Sequence, residues 1–586
     1  MTKAELIERL KGYEWNDIEF KRAQRGVPED AYKTVSAFAN TAGGWLIFGI
    51  SQEKGQFAVS GVEEVDKVQN DFLSCLRAGD KLSRAIDVRG DLIEIDGKSM
   101  LAFYIPDLPR TEKPVYLKGD LRQSYIRRGG GDERCTPREL ERFMRDSAAL
   151  PFDSDIIGGL DPSDFFDEKT LAWYRRMYNE REPGRHETLD DQEFLREWGF
   201  LIEGKKKLAV TRCGLLLFGK ARYVRHWLPR PVIDFQIIAE RFDEWQPERR
   251  WADRIVVEDN LIQAWLAVVE RYMRHADRPF AIDAATLRRN DQPPDYISFR
   301  EASINLLIHQ DYGDAGRHAQ IQIFSDGTRF WNPGDAFGTL DQLLDPGAKE
   351  LRNPNIVSAF RRIGLSDQAG TGIRAIYSNW RKLGHVPPLV HNHKAEKAFE
   401  LILLKEPIVT ENQKRFQKQI GVRLSDLEAE VFAFSRQNDQ ITVTDVRAIG
   451  GINTADSHSM LEHLVVQKLL EPLDPGKIYR ISPHLRQRYP VTLPSDQAES
   501  RQSQGTVEAE SFLDKILQNL SSGDLSKSEI ASSVGKEKVD GQLNNAVRTL
   551  LDRGQIEYTR PEKPQSRLQK YRLTESDRNI ESQSKH

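Results

Sequence analysis

The chain has 586 residues, of which 39% are hydrophobic and 30% are charged, and its formal net charge is −4. That length predicts several domains, and that charge excludes a uniformly cationic protein, so any nucleic-acid contact must come from local basic patches. No apolar run approaches the ~20 residues of a membrane span. The three cysteines, Cys75, Cys135 and Cys213, stand too far apart in the sequence for a disulfide framework or a zinc cluster. We therefore expect a cytoplasmic protein without membrane contact.

The stretch from Glu14 to Ile50 is the most informative part of the first 148 residues. Two carboxylates, Glu14 and Glu19, precede a run with apolar residues at helical spacing, Lys33 to Asn40. The pair Gly43-Gly44 follows, and glycine readily takes the positive φ that a helix C-terminus needs. The pattern predicts a helix, a glycine turn and then an apolar strand.

This stretch resembles the Schlafen-type AlbA_2 domain, a nucleic-acid-binding module. The matching residues are Glu14, Glu19-Phe20-Lys21, Ala37-Phe38-Ala39-Asn40-Thr41, Gly43-Gly44 and Gly49-Ile50, with a later block at Lys113-Pro114-Val115-Tyr116 and Tyr125-Ile126-Arg127-Arg128-Gly129. The resemblance implies that residues 1–148 bind DNA or structured RNA, with phosphate contacts from Lys21, Arg122, Arg127 and Arg128. A charged edge strand, protected from pairing, is the alternative for the arginines.

The resemblance also raises a second function, a metal-dependent ribonuclease that cleaves structured RNA such as tRNA. Nuclease members of the family hold Mg²⁺ or Mn²⁺ with three acids, of which Glu14 and Glu19 match two. The third position falls on Gln52. Glu53 is one residue away, and such a shift turns a side chain in an extended segment to the other face. We therefore expect binding first and catalysis by Glu14, Glu19 and Glu53 as the alternative. Outside catalysis, Glu14 and Glu19 are interpreted as fold-supporting partners of Lys21 and nearby arginines.

Residues 149–290 carry no recognisable chemistry and are interpreted as an α/β connector. Within them, Lys207–Lys220 predicts a buried helix with a turn, Val232–Ile238 a strand, and Val257–Arg274 an amphipathic helix.

Residues 291–408 contain a second cluster of functional residue types. Glu301 and Asn305 are four apart, so they share one face of the predicted helix. His318–Phe324 and Thr328–Trp331 flank the turn Ser325-Asp326-Gly327 and predict a hairpin.

This block resembles the GHKL-type ATP-binding domain found behind AlbA_2 domains in proteins often labelled RecG-like. The resemblance implies that Glu301 activates water, that Asn305 ligates Mg²⁺, and that Gly370-Thr371-Gly372 cradles phosphate at a helix start. The first glycine box matches Asn332-Pro333-Gly334, with Asn where the family has the Asp that reads adenine. The carbonyl of an Asn can still accept from the adenine amino group, so we expect ATP binding, with weak ATPase activity as the alternative to binding alone. The alternative is that Glu301 is a solvated helix residue and that Asn332 and Gly334 only form a turn. The chain lacks the G-x-x-x-x-G-K-[ST] loop of a helicase motor.

Two winged helix-turn-helix domains are predicted at residues 422–492 and 507–575, before a disordered tail at 576–586. Each shows three helical runs followed by a hairpin. In the second hairpin the basic residues Arg560, Lys563, Arg567 and Lys570 suit the phosphate backbone of nucleic acid. Protein–protein docking is the alternative for such domains.

The predicted fold class is therefore α/β (α+β) and multidomain. Its parts are an AlbA_2 domain, an α/β connector, a GHKL-like ATPase sandwich and two winged helices. The predicted function is a nucleic-acid-binding, nucleotide-gated regulator, either of transcription or in anti-phage defence, with ATP and Mg²⁺ as cofactors. Related architectures also suggest a homo-oligomer.

Overall fold

The computed structural model covers most of the chain up to residue 488 and parts of the segment that follows. The described residues are 6, 17–53, 56–79, 81–148, 150–204, 207–246, 248–276, 281–282, 289–290, 293–345, 350–366, 372–438, 440–474, 478–488, 516–517, 520, 523–533, 550, 556–559 and 570–574. Contacts divide the chain into two compact units, Met1–Pro483 and His484–His586, and each is described by itself.

The N-terminal lobe (residues 17–148) is built on a four-stranded sheet in the order β1-β2-β6-β5. Strands β1 and β2 are parallel and the other pairs are antiparallel. Its strands are β1 Ile18–Lys21, β2 Gly44–Phe48, β3 Ile50–Glu53, β4 Gln56–Val59, β5 Arg89–Ile95, β6 Lys98–Ile105, β7 Tyr125–Arg128 and β8 Gly131–Arg134. Its helices are α1 Ala31–Asn40, α2 Val65–Ala78 and α3 Pro137–Asp146.

The glycine pair between α1 and β2 is required by close packing. Gly43 has φ +74°, and a Cβ there would lie 2.8 Å from the carbonyl oxygen of Ile105. A Cβ on Gly44 would lie 2.5 Å from the ring of Phe38, which is fully buried between helix and sheet. The chain can therefore turn from α1 into β2 only with small residues at both positions.

Helix α3 closes the lobe and begins as the sequence predicts. Thr136 accepts a hydrogen bond from the backbone N–H of Glu139, and the Glu139 carboxylate accepts one from Thr136, which is a complete capping box. Pro137 occupies the first helical position.

The central lobe (residues 150–408) contains a six-stranded sheet in the order β13-β12-β16-β17-β19-β18. Only β12 and β16 are parallel among these neighbours. The strands of the lobe are β9 Ile156–Ile157, β10 Leu201–Glu203, β11 Leu208–Thr211, β12 Ile233–Ile237, β13 Asp253–Val257, β14 Ala281–Ile282, β15 Arg289–Asn290, β16 Ala319–Phe324, β17 Gly327–Pro333, β18 Leu389–His393 and β19 Ala398–Leu404. Its helices are α4 Glu168–Arg181, α5 Asp191–Glu197, α6 Arg212–Phe218, α7 Ala221–Trp227, α8 Leu261–His275, α9 Tyr296–His309, α10 Leu340–Leu344, α11 Pro354–Arg362 and α12 Gly372–Lys382.

One hydrophobic core joins this sheet to helices α6, α8, α9, α11 and α12. Because β12 and β13 belong to the same sheet as β16 to β19, the predicted division at residue 290 falls inside a single folded layer. The hairpin predicted around Ser325-Asp326-Gly327 is present as β16 and β17.

Two predicted elements of the connector were wrong in part. The helix expected over Lys207–Lys220 begins only at Arg212, because Leu208–Thr211 pairs with β10 and β9 as strand β11. The helix expected from Val257 begins at Leu261, since the chain before it forms the edge strand β13. In both places strand pairing across the lobe overrides the local helical spacing.

The segment after residue 408 contains helices and a small sheet in the order β20-β22-β21. The helices are α13 Glu411–Ile420, α14 Asp426–Asn438, α15 Val443–Gly450, α16 Thr454–Val466 and α17 Pro483–Arg488, and the strands are β20 Gln440–Thr442, β21 Leu470–Asp474 and β22 Ile478–Ile481. The described part of the second unit contains α18 Lys527–Ser533, β23 Ile556–Tyr558 and β24 Tyr571–Leu573. None of the helices described is both long and apolar enough to cross a bilayer.

Candidate nucleotide site and ion-pair network

Helices α9 and α12 bring two of the predicted nucleotide-site elements together. The Asn379 amide of α12 donates to the Ser298 hydroxyl of α9 at 2.9 Å. At the other end of the pair, a Cβ added to Gly372 would lie 2.9 Å from Asn305 Nδ2. The helices are therefore antiparallel, and the N-terminus of α12 faces the Asn305 side chain. Gly370 and Thr371 lie outside the described residues.

Glu301 lies one turn before Asn305 on α9, and both side chains are half-buried. The Glu301 carboxylate lies 3.0 Å from the Arg300 guanidinium. This ion pair orients the carboxylate and occupies one of its oxygens.

Asn332 and Gly334 lie at the end of β17, beside the C-terminus of α9. The Asp311 N–H donates to the Pro333 carbonyl at 2.7 Å, and Gly334 has φ +105° with Asp311 3.1 Å from its Cβ position. Asn332 Nδ2 donates to the carbonyls of Pro333 and Gly334 at 3.1 and 3.4 Å. Its Oδ1 therefore points away from those carbonyls, and Asn332 is 4% exposed.

The residues present fit a magnesium nucleotide in type and placement. Asn305 offers an amide oxygen, which is a hard ligand for Mg²⁺, beside backbone N–H groups at the start of α12, which attract phosphate. Bound Mg²⁺ neutralises phosphate charge. Asn305, Asn332 and the backbone of Gly372 are the groups that would hold the nucleotide.

In the N-terminal lobe, Glu19 lies in a buried ion-pair network. Its carboxylate contacts Lys21 Nζ at 2.6 Å and Arg127 Nη1 at 2.8 Å. Arg127 is 1% exposed, also pairs with Asp132 at 2.9 Å, and donates to the Ile18 carbonyl at 2.7 Å. Lys21 contacts Asp30 at 2.8 Å as well. Arg127 is expected as a phosphate contact. It instead lies in the interior, where its charge compensates the carboxylates of Glu19 and Asp132.

The other predicted nucleic-acid contacts are differently placed. Arg122 is 82% exposed, and Arg128 is half-exposed and bridges Glu133 and Glu139. Lys570 contacts Glu529 at 3.2 Å. Arg560, Lys563 and Arg567 lie outside the described residues.

Of the predicted triad of acids, the structure describes only the side chain of Glu19. Glu14 lies outside the described residues, and of Glu53 only the backbone, at the end of β3, is described. Among the described side chains, no group of three His, Cys, Asp or Glu residues could hold a metal ion.

Sequence reasoning missed the ion pairs that join the two lobes. Arg145 of α3 contacts Asp311 at 2.5 Å, and Arg142 contacts Asp314. Arg352 contacts Asp146 at 2.7 Å and Asp335 at 3.2 Å. The Asp311 end of this interface follows α9 directly, so α3 contacts the loop next to the nucleotide site. Alternating arginines and acids in α3 were the signal that could have indicated it.

Asp335 shows how strongly charge controls this interface. Burial by itself raises the pKa of a carboxyl, yet the neighbouring Lys397, Arg352, Lys394 and Lys113 hold the pKa of Asp335 at about 2. The carboxylate is therefore ionised at any physiological pH.

Asp153, near the start of the central lobe, occupies the N-terminus of α11. Its carboxylate accepts from the backbone N–H groups of Asn355 and Ile356 at 2.8 and 3.0 Å, and from the Asn355 amide at 3.0 Å. The side chain is fully buried, and burial raises its pKa to about 6 against the opposing hydrogen bonds.

Family models match four stretches of the chain. Schlafen, AlbA_2 covers residues 14–136, and a domain of unknown function (DUF8451) covers 141–234. The recG C-terminal model, HATPase_c_4, covers 316–403. The C-terminal domain of Fic-like proteins (filamentation induced by cAMP) covers 513–574.

Two solved structures are similar to this chain. The DIP2311 protein of Corynebacterium diphtheriae is 19% identical, with a TM-score of 0.36 and 95% of both chains covered. The N-terminal domain of a RecG-related protein from Nitrosomonas europaea is 31% identical, with a TM-score of 0.20, covering 23% of this chain and 94% of that domain. A search of curated proteins finds no match.

Proposed function

We propose that this chain, which carries a Schlafen AlbA_2 domain and a recG C-terminal HATPase_c_4 domain, is a nucleic-acid-binding protein regulated by a nucleotide. The AlbA_2 domain binds DNA or structured RNA, and ATP with Mg²⁺ binds in the central lobe. The protein acts as a regulator of transcription or as a component of anti-phage defence. Its cytoplasmic location and self-association remain predictions from the sequence.

The ion pairs of Glu19 are the observation that favours nucleic-acid binding over RNA cleavage. Both of its carboxylate oxygens face cations, Lys21 at 2.6 Å and Arg127 at 2.8 Å. A carboxylate that ligates a catalytic metal must present its oxygens to the ion, and here Arg127 is too deeply buried to move aside without leaving an unpaired charge. Glu19 therefore supports the fold beneath the binding surface.

The exposed arginines supply the contacts to nucleic acid in this proposal. Arg122 and Arg128 lie on either side of the start of β7, one highly exposed and one partly so. Asp120 and Glu133 are solvent-accessible partners that phosphate can replace at little cost, whereas Glu139 is 12% exposed and also caps α3.

The close approach of Asn305 to Gly372 at the start of α12 supports nucleotide binding. A helix N-terminus without a side chain at its first residue lets phosphate approach the backbone closely. Asn332 at the end of β17 would receive the base, and Glu301 would orient water in any slow hydrolysis.

The interface between the lobes provides the route for regulation. Arg145 and Arg142 of α3 bind the loop that continues α9, the helix carrying Glu301 and Asn305. A nucleotide that shifts the end of α9 thereby changes the position of α3 and of the AlbA_2 surface, which is a coupling between two ligands.

The segment of residues 426–481 is a further candidate contact. Helices α14, α15 and α16 precede the β21–β22 hairpin, the order that a winged helix requires, and α16 would be the recognition helix. The second predicted winged helix would add Lys570 and the basic residues beside it.

Fluorescence anisotropy with labelled duplex DNA and with labelled tRNA tests the proposal. We expect binding that weakens steeply with salt, and an affinity change of roughly 5–150-fold when ATP and Mg²⁺ are added. Equal affinity with and without ATP, ADP or a non-hydrolysable analogue contradicts the regulation by nucleotide. The same RNA is incubated with Mn²⁺. Cleavage by the wild type that is lost in Glu19→Gln would establish the ribonuclease alternative.

A further inference from the structure

A cluster of charged side chains lies in the interface between the two lobes. We define this junction cluster as Asp107, Arg110, Lys113, Asp146, Asp335, Arg352, Lys394 and Lys397. Lys394 joins the lobes directly, since its Nζ lies 3.4 Å from Asp107 and 3.8 Å from Asp335. Lys397 lies 3.3 Å from Asp335, and Lys113 pairs with Asp107.

The cations of the junction cluster outnumber its carboxylates. Five cations face three carboxylates, and Glu350, a further partner of Arg110, is 44% exposed. Asp107 and Asp335 are therefore each shared among several cations. Burial lowers the pKa of Lys113 to about 8, and Lys397 and Lys394 add to that effect against the attraction of Asp107.

The neighbouring ion pairs do not neutralise the excess positive charge of the junction cluster. Arg142, Arg145 and Arg317 share the two carboxylates Asp311 and Asp314. The buried Arg230 donates to the Asp311 and Asp314 carbonyls at 3.1 and 2.6 Å. Carbonyl oxygens satisfy hydrogen bonds but carry no net charge, so positive charge remains buried between the lobes.

A small cavity opens within this cluster. Its volume is ≈ 20 Å³, and its charged lining consists of Arg110, Lys113, Asp146, Asp335, Lys394 and Lys397. Leu108, Phe143 and Phe337 form the remaining wall. A cavity above roughly 10–15 Å³ holds one particle of the size of water, and a halide is of comparable size.

We propose that this cavity binds one small inorganic anion of the size of chloride, held by Lys113, Lys394 and Lys397. The lysines come from both lobes, so the anion stabilises their contact. The apolar wall of Leu108, Phe143 and Phe337 excludes water and strengthens the attraction between the anion and the lysines. A volume of ≈ 20 Å³ favours a monatomic ion over the larger phosphate group.

Thermal unfolding of the full-length protein at constant ionic strength tests the site. Chloride is replaced stepwise by gluconate, and in parallel series by bromide or phosphate. We expect a saturable increase of roughly 2–4 °C in Tm with chloride and bromide, and none with gluconate or phosphate. Crystals soaked in bromide should show an anomalous peak between Lys113, Lys394 and Lys397.

Variants separate this site from general salt effects. Lys397→Met should remove the dependence on chloride, whatever its effect on Tm itself. Lys405→Met, a partly exposed lysine of the same lobe that pairs with Asp295, should retain it. Identical Tm values in chloride and gluconate, a chloride dependence that survives in Lys397→Met, or stabilisation by phosphate alone would each overturn the proposal.

Discussion

The Glu19 carboxylate lies 2.8 Å from the Arg127 guanidinium in the interior of the N-terminal lobe. Arg127 also holds Asp132, which accepts from the Thr34 hydroxyl of α1 at 2.6 Å. One cation therefore ties β1, α1 and the β7–β8 hairpin together. The residues expected at a nucleic-acid surface thus include one that stabilises the domain instead.

Replacing Arg127 by Met should destabilise the N-terminal lobe severely. The substitution removes this cation from Asp132 and leaves Glu19 paired with Lys21. Breaking a buried ion pair in this way destabilises the folded protein by about 3–5 kcal/mol. Urea unfolding followed by circular dichroism measures the change. Arg122→Met is the control, since that side chain is solvated, and it should unfold like the wild type. Equal stability of the two variants would contradict the structural role of Arg127.

Reversing the charge of exposed arginines should weaken nucleic-acid binding. In Arg122→Glu and Arg128→Glu, each lost phosphate contact should reduce the slope of log affinity against log salt by about 1. Anisotropy titrations over a series of salt concentrations provide the slope. Arg25→Glu, which alters an exposed arginine paired with Glu63 elsewhere in the lobe, serves as the control. If all three variants lose affinity equally, the contact is not specific to this surface.

Gly372→Ala should impair nucleotide binding. The added Cβ would lie 2.9 Å from Asn305 Nδ2 and would displace that side chain while obstructing the approach of phosphate. We expect a roughly tenfold weaker Kd, equivalent to about 1.4 kcal/mol, by calorimetry with ATP and Mg²⁺. Lys382→Ala, at the far end of α12, should bind as the wild type does. An unchanged Kd in Gly372→Ala would place the nucleotide elsewhere.

Asp153 should make stability depend on pH between about 4 and 6. Its pKa is raised to about 6 by burial, whereas an unfolded Asp titrates near ~3.9, so between these values the folded protein binds the extra proton. The cost of burying the charge is present above pH ~6 and is relieved as the pH falls towards ~4. The stability of the wild type relative to Asp153→Asn should therefore improve on acidification.

Chemical unfolding of both proteins across that pH range measures the difference. Asp155→Asn, two residues away and half-exposed beside Arg212, is the matched control and should show no such trend. A difference between wild type and Asp153→Asn that is constant with pH would contradict the raised pKa.

Sequence patterns predicted the elements that depend on residues close together in the sequence. The capping residues Thr136 and Pro137 placed the start of α3, and Gly43-Gly44 placed the turn into β2, because each acts on its own backbone. The hairpin of β16 and β17 likewise depends on a short turn between two apolar runs. These patterns, with the resemblance to two families, were sufficient for the fold class and for the positions of Glu301 and Asn305 on one helix.

The sequence alone did not determine which charges are buried and which face solvent. Arg122, Arg127 and Arg128 are neighbours in one basic segment, yet only Arg127 lies between Glu19 and Asp132, which come from other parts of the chain. The strand Leu208–Thr211 and the junction cluster likewise form through contacts between residues that are far apart in the sequence. Local backbone preferences are set by residues a few positions apart. Strand pairing and the compensation of buried charge depend on partners far apart in sequence, which only the folded chain brings together.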